Sequence, residues 1–418
     1  MSLLDKASLI VTPNGYKASK LYSVVPSDGS GDMTVTRATT ATRVNSLGLI
    51  ESVANNVPRL DYLNSTCPSL LVEQQRTNVQ TYSEDFSNAI YLQIGTTVTT
   101  NAIVAPDGNT TADKIVEDTS TGFHTIDILN PPVVAGSYTV SVFVKAAERT
   151  KFQILGFFAL TGNVNFDLTA GTATTTAPAL NGKIENYGNG WFRCSATFTD
   201  LTGVGAQILL NILNNSGSNS YTGTAGSGLY LWGAQLELGS YATSYIPTTS
   251  ASVTRNADVI SKTGISSLIG QTEGTIFVDI NFKNISQLAG VDTLLTLNDG
   301  TTANEISILL DTPSGANKTL LGLIKYLNSY NVAIYAPSTI TTTRYKIALS
   351  YKLNDVVLYI NGTQIGTDTS AAIPTTSAIS LNSSSNGSFL NTQQNYIQSS
   401  QLYKTRLTNT ELANLTTI

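Results

Sequence analysis

YTVSVFVKAAERTKFQILGFFAL, residues 138–160, decides the fold class. It holds two apolar runs of eight or nine residues, rich in β-branched and aromatic side chains, separated by a short polar piece. Such runs are too short for a buried helix and have the composition of strands. The same texture recurs on both sides. WFRCSATFTD (191–200), AQILLNIL (206–213) and LYLWGAQLEL (229–238) follow it, with Ala135-Gly136, Asn181-Gly182, Gly188-Asn189-Gly190 and NNSGSNSYTG as turns between the runs. Strands at this spacing with no helical pattern between them predict a jelly-roll sandwich over residues 87–255.

Further along, GTIFVDINF (274–282), TLLTLND (293–299), EISILLD (305–311), LLGLIKYL (320–327), NVAIYA (331–336), YKIALSYK (345–352) and VVLYINGTQIG (356–366) predict a second antiparallel sandwich over residues 256–418. Asn361-Gly362 between two apolar runs is a strong hairpin signal. LTNTELANL (407–415) predicts a short closing helix, with Thr408 or Asn409 as its N-cap and Glu411 in its first turn. Residues 1–86 differ: pieces such as ASLIVT, GLIESV and SLLVEQ are apolar but short, and most of the clustered arginines lie here. We read them as an extended segment that finds its contacts elsewhere. The fold expected is all-β: two tandem antiparallel β-sandwiches, jelly-roll and concanavalin A-like, after an extended N-terminal anchoring segment.

Composition narrows the function. The chain is 41% hydrophobic but only 12% charged, with 23 basic and 28 acidic side chains. No basic field is available to hold a phosphate backbone, so nucleic acid is not an expected partner. No apolar run reaches the length that spans a bilayer, and MSLLDKASLI lacks the pattern of a secretory signal. Two cysteines, Cys67 and Cys194, lie in different segments and read as free buried thiols. A chain made in a reducing cytoplasm and never exported fits these features.

RATTATRVNSLGLIESVANNVPRLDY (37–62) and CPSLLVEQQRTNVQTYSEDFSNAIY (67–91) resemble a leader of phage structural proteins. LYLWGAQLELGSYATSYIPTTSASVTRNADV (229–259) resembles the closing strand and exit linker of a carbohydrate-binding-type jelly roll, and the stretch from about Gly274 to Ile418 looks like a laminin G or concanavalin A-like module. The resemblance implies a bacteriophage head or tail fibre protein, head fibre favoured, on the virion surface after synthesis in the host cytoplasm. It implies phage capsid or tail proteins and host-surface or mucus glycans as partners. A homotrimer follows from the avidity fibres need and from short apolar leader pieces seeking partners on sister chains. The alternative is a free carbohydrate-binding protein or polysaccharide hydrolase of a bacterium.

Catalysis finds little to work with. His124 is the only histidine, in GFHTIDIL beside Asp127, and no G-x-S-x-G elbow is present. Asp279, Asp292, Asp299, Glu305 and Asp311 crowd into one module but show no glucanase-like strand motif. The expectation is a non-enzyme without a cofactor, calcium apart: Asp107 and Asn109, and Asn298 and Asp299, sit in turns that suit Ca²⁺ or simple Asx-turns alike. Candidate sugar plates are Tyr187 and Trp191 in ENYGNGWFRC, and Tyr330 and Tyr335 among the C-terminal tyrosines. Trp232 reads as core on a face shared with Tyr230, Ala234, Leu236 and Leu238. Arg37, Arg43, Arg59 and Arg76 are the anchor candidates, because a guanidinium pairs bidentately with carboxylates on a partner.

Overall fold

A computed structural model describes residues 2–129, 136–158, 162–200, 206–285, 290–312, 317–382 and 393–418. The protein is all-β, with antiparallel sheets throughout and two short α-helices and one 3-10 turn among the described residues. The jelly roll is made of two six-stranded sheets. One runs in the order Thr96–Ile103, Ala112–Glu117, Gly228–Leu238, Gly136–Ala146, Trp191–Asp200, Leu180–Asn186. The other runs Thr172–Thr176, Asn163–Asp167, Lys151–Phe158, Ala206–Leu213, Thr125–Leu129, Tyr91–Ile94. Alternation along each strand sends Val140, Val142, Val144, Phe152, Ile154, Phe166, Ile208 and Leu210 into the space between the sheets.

The second sandwich is built from both ends of the chain. Its sheet passes through Ser329–Thr339, Thr319–Tyr326, Glu305–Asp311, Asp292–Asn298, Ala378–Leu381 and Val259–Thr263, then through the leader strands Met33–Thr36, Lys20–Val25 and Ala7–Lys17. It continues through Gln394–Tyr403, Glu273–Asn284, Arg344–Lys352, Asp355–Ile360 and Thr363–Asp368. Ile10 is thus opposite Val25 on one side and Gln401 on the other. Ser69–Glu73 also pairs with Gln394–Tyr403. The expectation of an extended leader is therefore corrected: its apolar pieces are strands, and Leu9, Val11, Leu70 and Val72 lie in the same core as Ile276, Leu295, Ile308 and Leu349. Some of their pairing is local, as between Ala7–Lys17 and Lys20–Val25, but the partners that close them into the sheet, Gln394–Tyr403 and Val259–Thr263, lie hundreds of residues away.

The predicted closing elements form as expected. Asn361 and Gly362, both at positive φ, turn the chain between Ile360 and Thr363. Helix Asn409–Thr416 is capped by Thr408, whose hydroxyl accepts from the Glu411 N–H while Glu411 reaches back, and it buries Leu412 against the outer face of Phe277, Val357 and Tyr359.

The jelly roll is packed against the rest through the outer face of its first sheet. A bulge at Gly233 (φ 65°) resets the register of Gly228–Leu238, so Ala234 and Leu236 point inward while Trp232, Gln235 and Glu237 point outward. The shared face expected for Trp232, Ala234 and Leu236 is corrected by that one residue. Glycine is required there, since a Cβ would sit 3.0 Å from the Phe143 ring and 3.1 Å from that of Tyr245. The outward face is then covered: Phe143, Tyr187, Trp191, Trp232 and Tyr245 pack with Val44 and Ile50 of the leader hairpin, Ala41–Val44 paired with Ile50–Val53.

Candidate functional site

The four arginines expected to anchor the chain to a partner are turned inward. Arg37 and Arg59 are each 1% exposed. Arg37 donates to Asp258 at 2.9 Å, and Arg59 donates to Glu73 at 2.6 Å, to Ser244 at 2.8 Å and to Asp258. Arg255 lies 2.8 Å from the same Glu73 carboxylate, which also accepts from the Ser244 N–H. Burial opposes ionisation of Glu73, but Arg255 and Arg59, with the Ser244 hydrogen bonds, outweigh it and hold the carboxyl well below the usual range. Arg43 pairs with Glu51 at 2.7 Å and reaches Tyr16, and Arg76 lies over the Tyr241 ring at 5.3 Å. The anchoring role assigned to Arg37 and Arg59 is corrected: they fasten the leader to Ser244 and Asp258 of their own chain, and two fully buried guanidiniums have no face left for an external carboxylate, while Arg76 lies against Tyr241 and Arg43 is held within the leader by Glu51 and Tyr16.

Two of the expected sugar plates are likewise occupied. Trp191 is 2% exposed and donates its Nε1–H to the Val104 carbonyl; Tyr187 is 8% exposed and meets Phe143 edge-on at 4.9 Å. Trp191 does point away from the jelly-roll core, as its neighbours Arg193 and Ser195 suggested, but the leader hairpin and the exit loop cover that side. His124 is buried, with Nδ1 2.7 Å from the Gly95 carbonyl and Nε2 3.3 Å from that of Tyr221. Cys194 is buried, and burial raises its thiol pKa; Cys67, expected to be buried, is exposed.

The calcium candidates are held by turn chemistry. Asp107 accepts from the N–H and the Nδ2 of Asn109, and Asn298 accepts from the Gly300 N–H. Asp299 accepts from the Thr301 N–H and hydroxyl through one oxygen and from Asn304 Nδ2 through the other.

Tyr330 and Tyr335 remain at the surface, 67% and 43% exposed. They belong to Ser329–Thr339, the last strand on its side of the C-terminal sheet. Val332 and Ile334 point into the core. The pleat sends Ala333 and Tyr335 outward, and a bulge between Ile324 and Lys325 brings Tyr330 opposite Lys325 on that same outer face. The two residues therefore stand roughly 13 Å apart along one strand. Each has a charged neighbour. The Lys325 ammonium is 5.8 Å from the Tyr330 ring centroid, and the Tyr335 hydroxyl donates to Asp311 at 2.8 Å. Burial, and then the Asp311 carboxylate, push the Tyr335 hydroxyl up to about 12, so it stays a donor at every physiological pH.

The tip of this hairpin is a two-residue turn with Leu327 and Asn328 both at positive φ (49° and 66°). A leucine there is strained. The neighbouring loop holds it in place: the Leu327 N–H donates to Asn304 Oδ1 at 3.0 Å, the Asn328 N–H donates to the Ala303 carbonyl, and Asp299 fixes Asn304. Asp299 thus serves the turn. Lys325, Asp311 and Asn304 were missed as neighbours of the tyrosines because the bulge and the inter-strand register that collect them leave no local mark.

No family description matches the chain, and no curated protein matches it. Among solved structures it is similar to the CBM40 module of the Ruminococcus gnavus IT-sialidase bound to α2,3-sialyllactose (18% identity, TM-score 0.29, over 37% of this chain and 86% of that one). It is also similar to a botulinum neurotoxin type C chain (12%, 0.31, 38% and 39%) and a leech intramolecular trans-sialidase (16%, 0.29, 36% and 24%). At such scores the likeness carries neither a fold assignment nor a ligand to this chain.

Proposed function

We propose that this chain is a non-enzymatic adhesive protein of a bacteriophage particle surface, head fibre favoured over tail fibre, and that the Tyr330–Tyr335 face is where it touches glycans. The observation that carries the adhesive part is the exposed tyrosine pair on a braced, rigid hairpin, with an ammonium and a carboxylate beside the rings. Sugars present apolar ring faces edged by hydroxyls, so a flat aromatic surface with a donor and an acceptor alongside complements them. Support for the particle comes from the sequence of residues 37–91 alone. The homotrimer now rests on avidity only, because the leader strands that were to seek sister chains are paired within their own.

Glycan-array binding followed by calorimetry on the strongest hit tests the face. Tyr330→Ala is expected to weaken binding about tenfold or more, with stability changed by less than about 0.5 kcal/mol because the side chain is exposed. Unchanged affinity in Tyr330→Ala and Tyr335→Ala would remove the face from the proposal. Mass spectrometry of purified virions, and light scattering that returns three chains per particle of protein, test the location and the trimer separately.

A further inference from the structure

A second cleft, sharing no residue with the tyrosine face, lies where the jelly roll meets the C-terminal sandwich. It has a volume of about 540 Å³, within the range of small-ligand sites. Four segments converge on it: the edge strand with Asn181, Lys183 and Glu185; the exit loop at Ser240–Ala242; the end of Glu273–Asn284 with Lys283; and Ile340–Thr342. Ser195 completes the polar lining, and Tyr241 and Ile340 supply apolar surface.

Its charge is unbalanced. The Glu185 carboxylate lies 3.2 Å from Lys183 Nζ and 3.7 Å from Lys283 Nζ, Arg193 faces it from the next strand and Asp61 acts on Lys283, so three cations meet two carboxylates. Burial works against Glu185, but Lys283 and Lys183 outweigh it and hold its pKa at about 2, so the carboxylate is already ionised and fully committed. Lys283 is turned inward, donating to the Tyr396 hydroxyl at 3.3 Å and lying over that ring. Lys183 donates to Asn284 Oδ1 at 3.1 Å and to the Lys283 carbonyl at 3.4 Å, and is the more exposed of the two. Burial, and the repulsion of Lys283, make its positive charge costly despite Glu185.

We propose that this cleft binds a sugar bearing a carboxylate, with Lys183 receiving the anion and the amide and hydroxyl side chains of Asn181, Ser195, Ser240 and Thr341 receiving the ring hydroxyls. A single net positive charge at the mouth matches a single anionic group, and the volume exceeds what a lone inorganic ion fills. An anion beside Lys183 relieves the ammonium repulsion, and a neutral ligand of the same shape does not.

The test uses the full-length chain, trigalacturonate and its uncharged methyl ester, with calorimetry at low and moderate salt. The acid is expected to bind and the ester to bind about tenfold more weakly or not at all. Lys183→Met keeps the stem, leaves Glu185 paired with Lys283 and is expected to lower affinity for the acid about tenfold. Thr342→Trp fills the cleft from its exposed rim without touching an ion pair and is expected to abolish binding. Loss of acid binding in Tyr330→Ala that Lys183→Met retains would place the acid on the tyrosine face and overturn the assignment. Equal binding of acid and ester, no binding of the acid, or binding undiminished in both Lys183→Met and Thr342→Trp would overturn the assignment.

Discussion

The two sandwiches of this protein are built from opposite kinds of chain. Every strand of the jelly roll's two main sheets comes from one stretch, residues 91–238. The C-terminal sandwich instead takes strands from residues 7–73 and from 259–403, so the jelly roll is in effect an insertion into it. Both crossing points fall at one place: Arg76–Asn78 pairs with Val253–Arg255, with Val253 opposite Asn78. Around that crossing sit Arg59, Glu73, Arg255 and Asp258, each almost fully buried. A domain that is local in sequence needs no such lock. A domain closed by strands from both chain ends needs its ends held, and the ionic cluster does this with charges whose removal would leave uncompensated partners.

The largest effect expected from this comparison is on truncation. Removing residues 1–86 takes three strands out of the middle of the C-terminal sheet, together with Leu60–Asp61 and Ser69–Glu73 that pair beside them, and residues 256–418 alone lack the same strands. Either change is expected to cost the sandwich its full stability, on the order of 5–15 kcal/mol, and to abolish its cooperative transition in thermal unfolding. The converse deletion sharpens the point. Excising 79–252 and joining Asn78 to Val253 through a short hairpin turn of about two to four residues is expected to leave a protein that still unfolds cooperatively. If residues 256–418 melted cooperatively on their own, the insertion description would fail.

The ionic cluster comes next. Arg59→Ala leaves Glu73 and Asp258 buried with one fewer cation and is expected to cost about 3–5 kcal/mol, read as a shift in the urea midpoint. Arg43→Ala, which breaks the partly exposed pair with Glu51, is expected to cost under about 1 kcal/mol. Equal effects would mean that burial does not distinguish the two pairs. The sign with pH follows from Glu73: its folded pKa is depressed, so its contribution is present above the ordinary carboxylate range and is lost as the pH falls below it.

The contrast between sandwiches also explains what was legible. Strand identity was readable wherever alternation and turns were local: the two jelly-roll sheets, the Asn361-Gly362 hairpin and the Thr408 cap formed as the residues suggested. Pairing across hundreds of residues was not, because Ala7–Lys17 carries no mark naming Gln394–Tyr403 as its neighbour. The same gap misassigned the arginines and Trp191. Arg59 in an unpartnered leader looks like a surface anchor, and Trp191 on an outward face looks like a plate, until a distant segment covers each of them. Tyr330 and Tyr335 stayed exposed because their strand ends its sheet.

The last expected effect isolates a group that the jelly roll holds without help from the leader. Asp127 lies on the outer face of Thr125–Leu129, opposite Leu209 on one side and Leu92 on the other, and its Oδ1 finds no hydrogen-bond partner among the described residues. Burial alone raises its pKa to about 6. A carboxyl whose folded pKa is raised adds stability below the unfolded value of about 3.9, and that stability is lost as the pH rises through about 6. Asp127→Asn removes the ionisation while keeping the shape. It is expected to stabilise the jelly roll by at least about 1 kcal/mol at pH 7.5, and by progressively less as the pH falls toward 4.5. Urea midpoints of both proteins across that range give the curve. A gain that did not shrink with falling pH would show that the Asp127 carboxyl has the same pKa folded and unfolded, and the effect of its burial would have to be reconsidered.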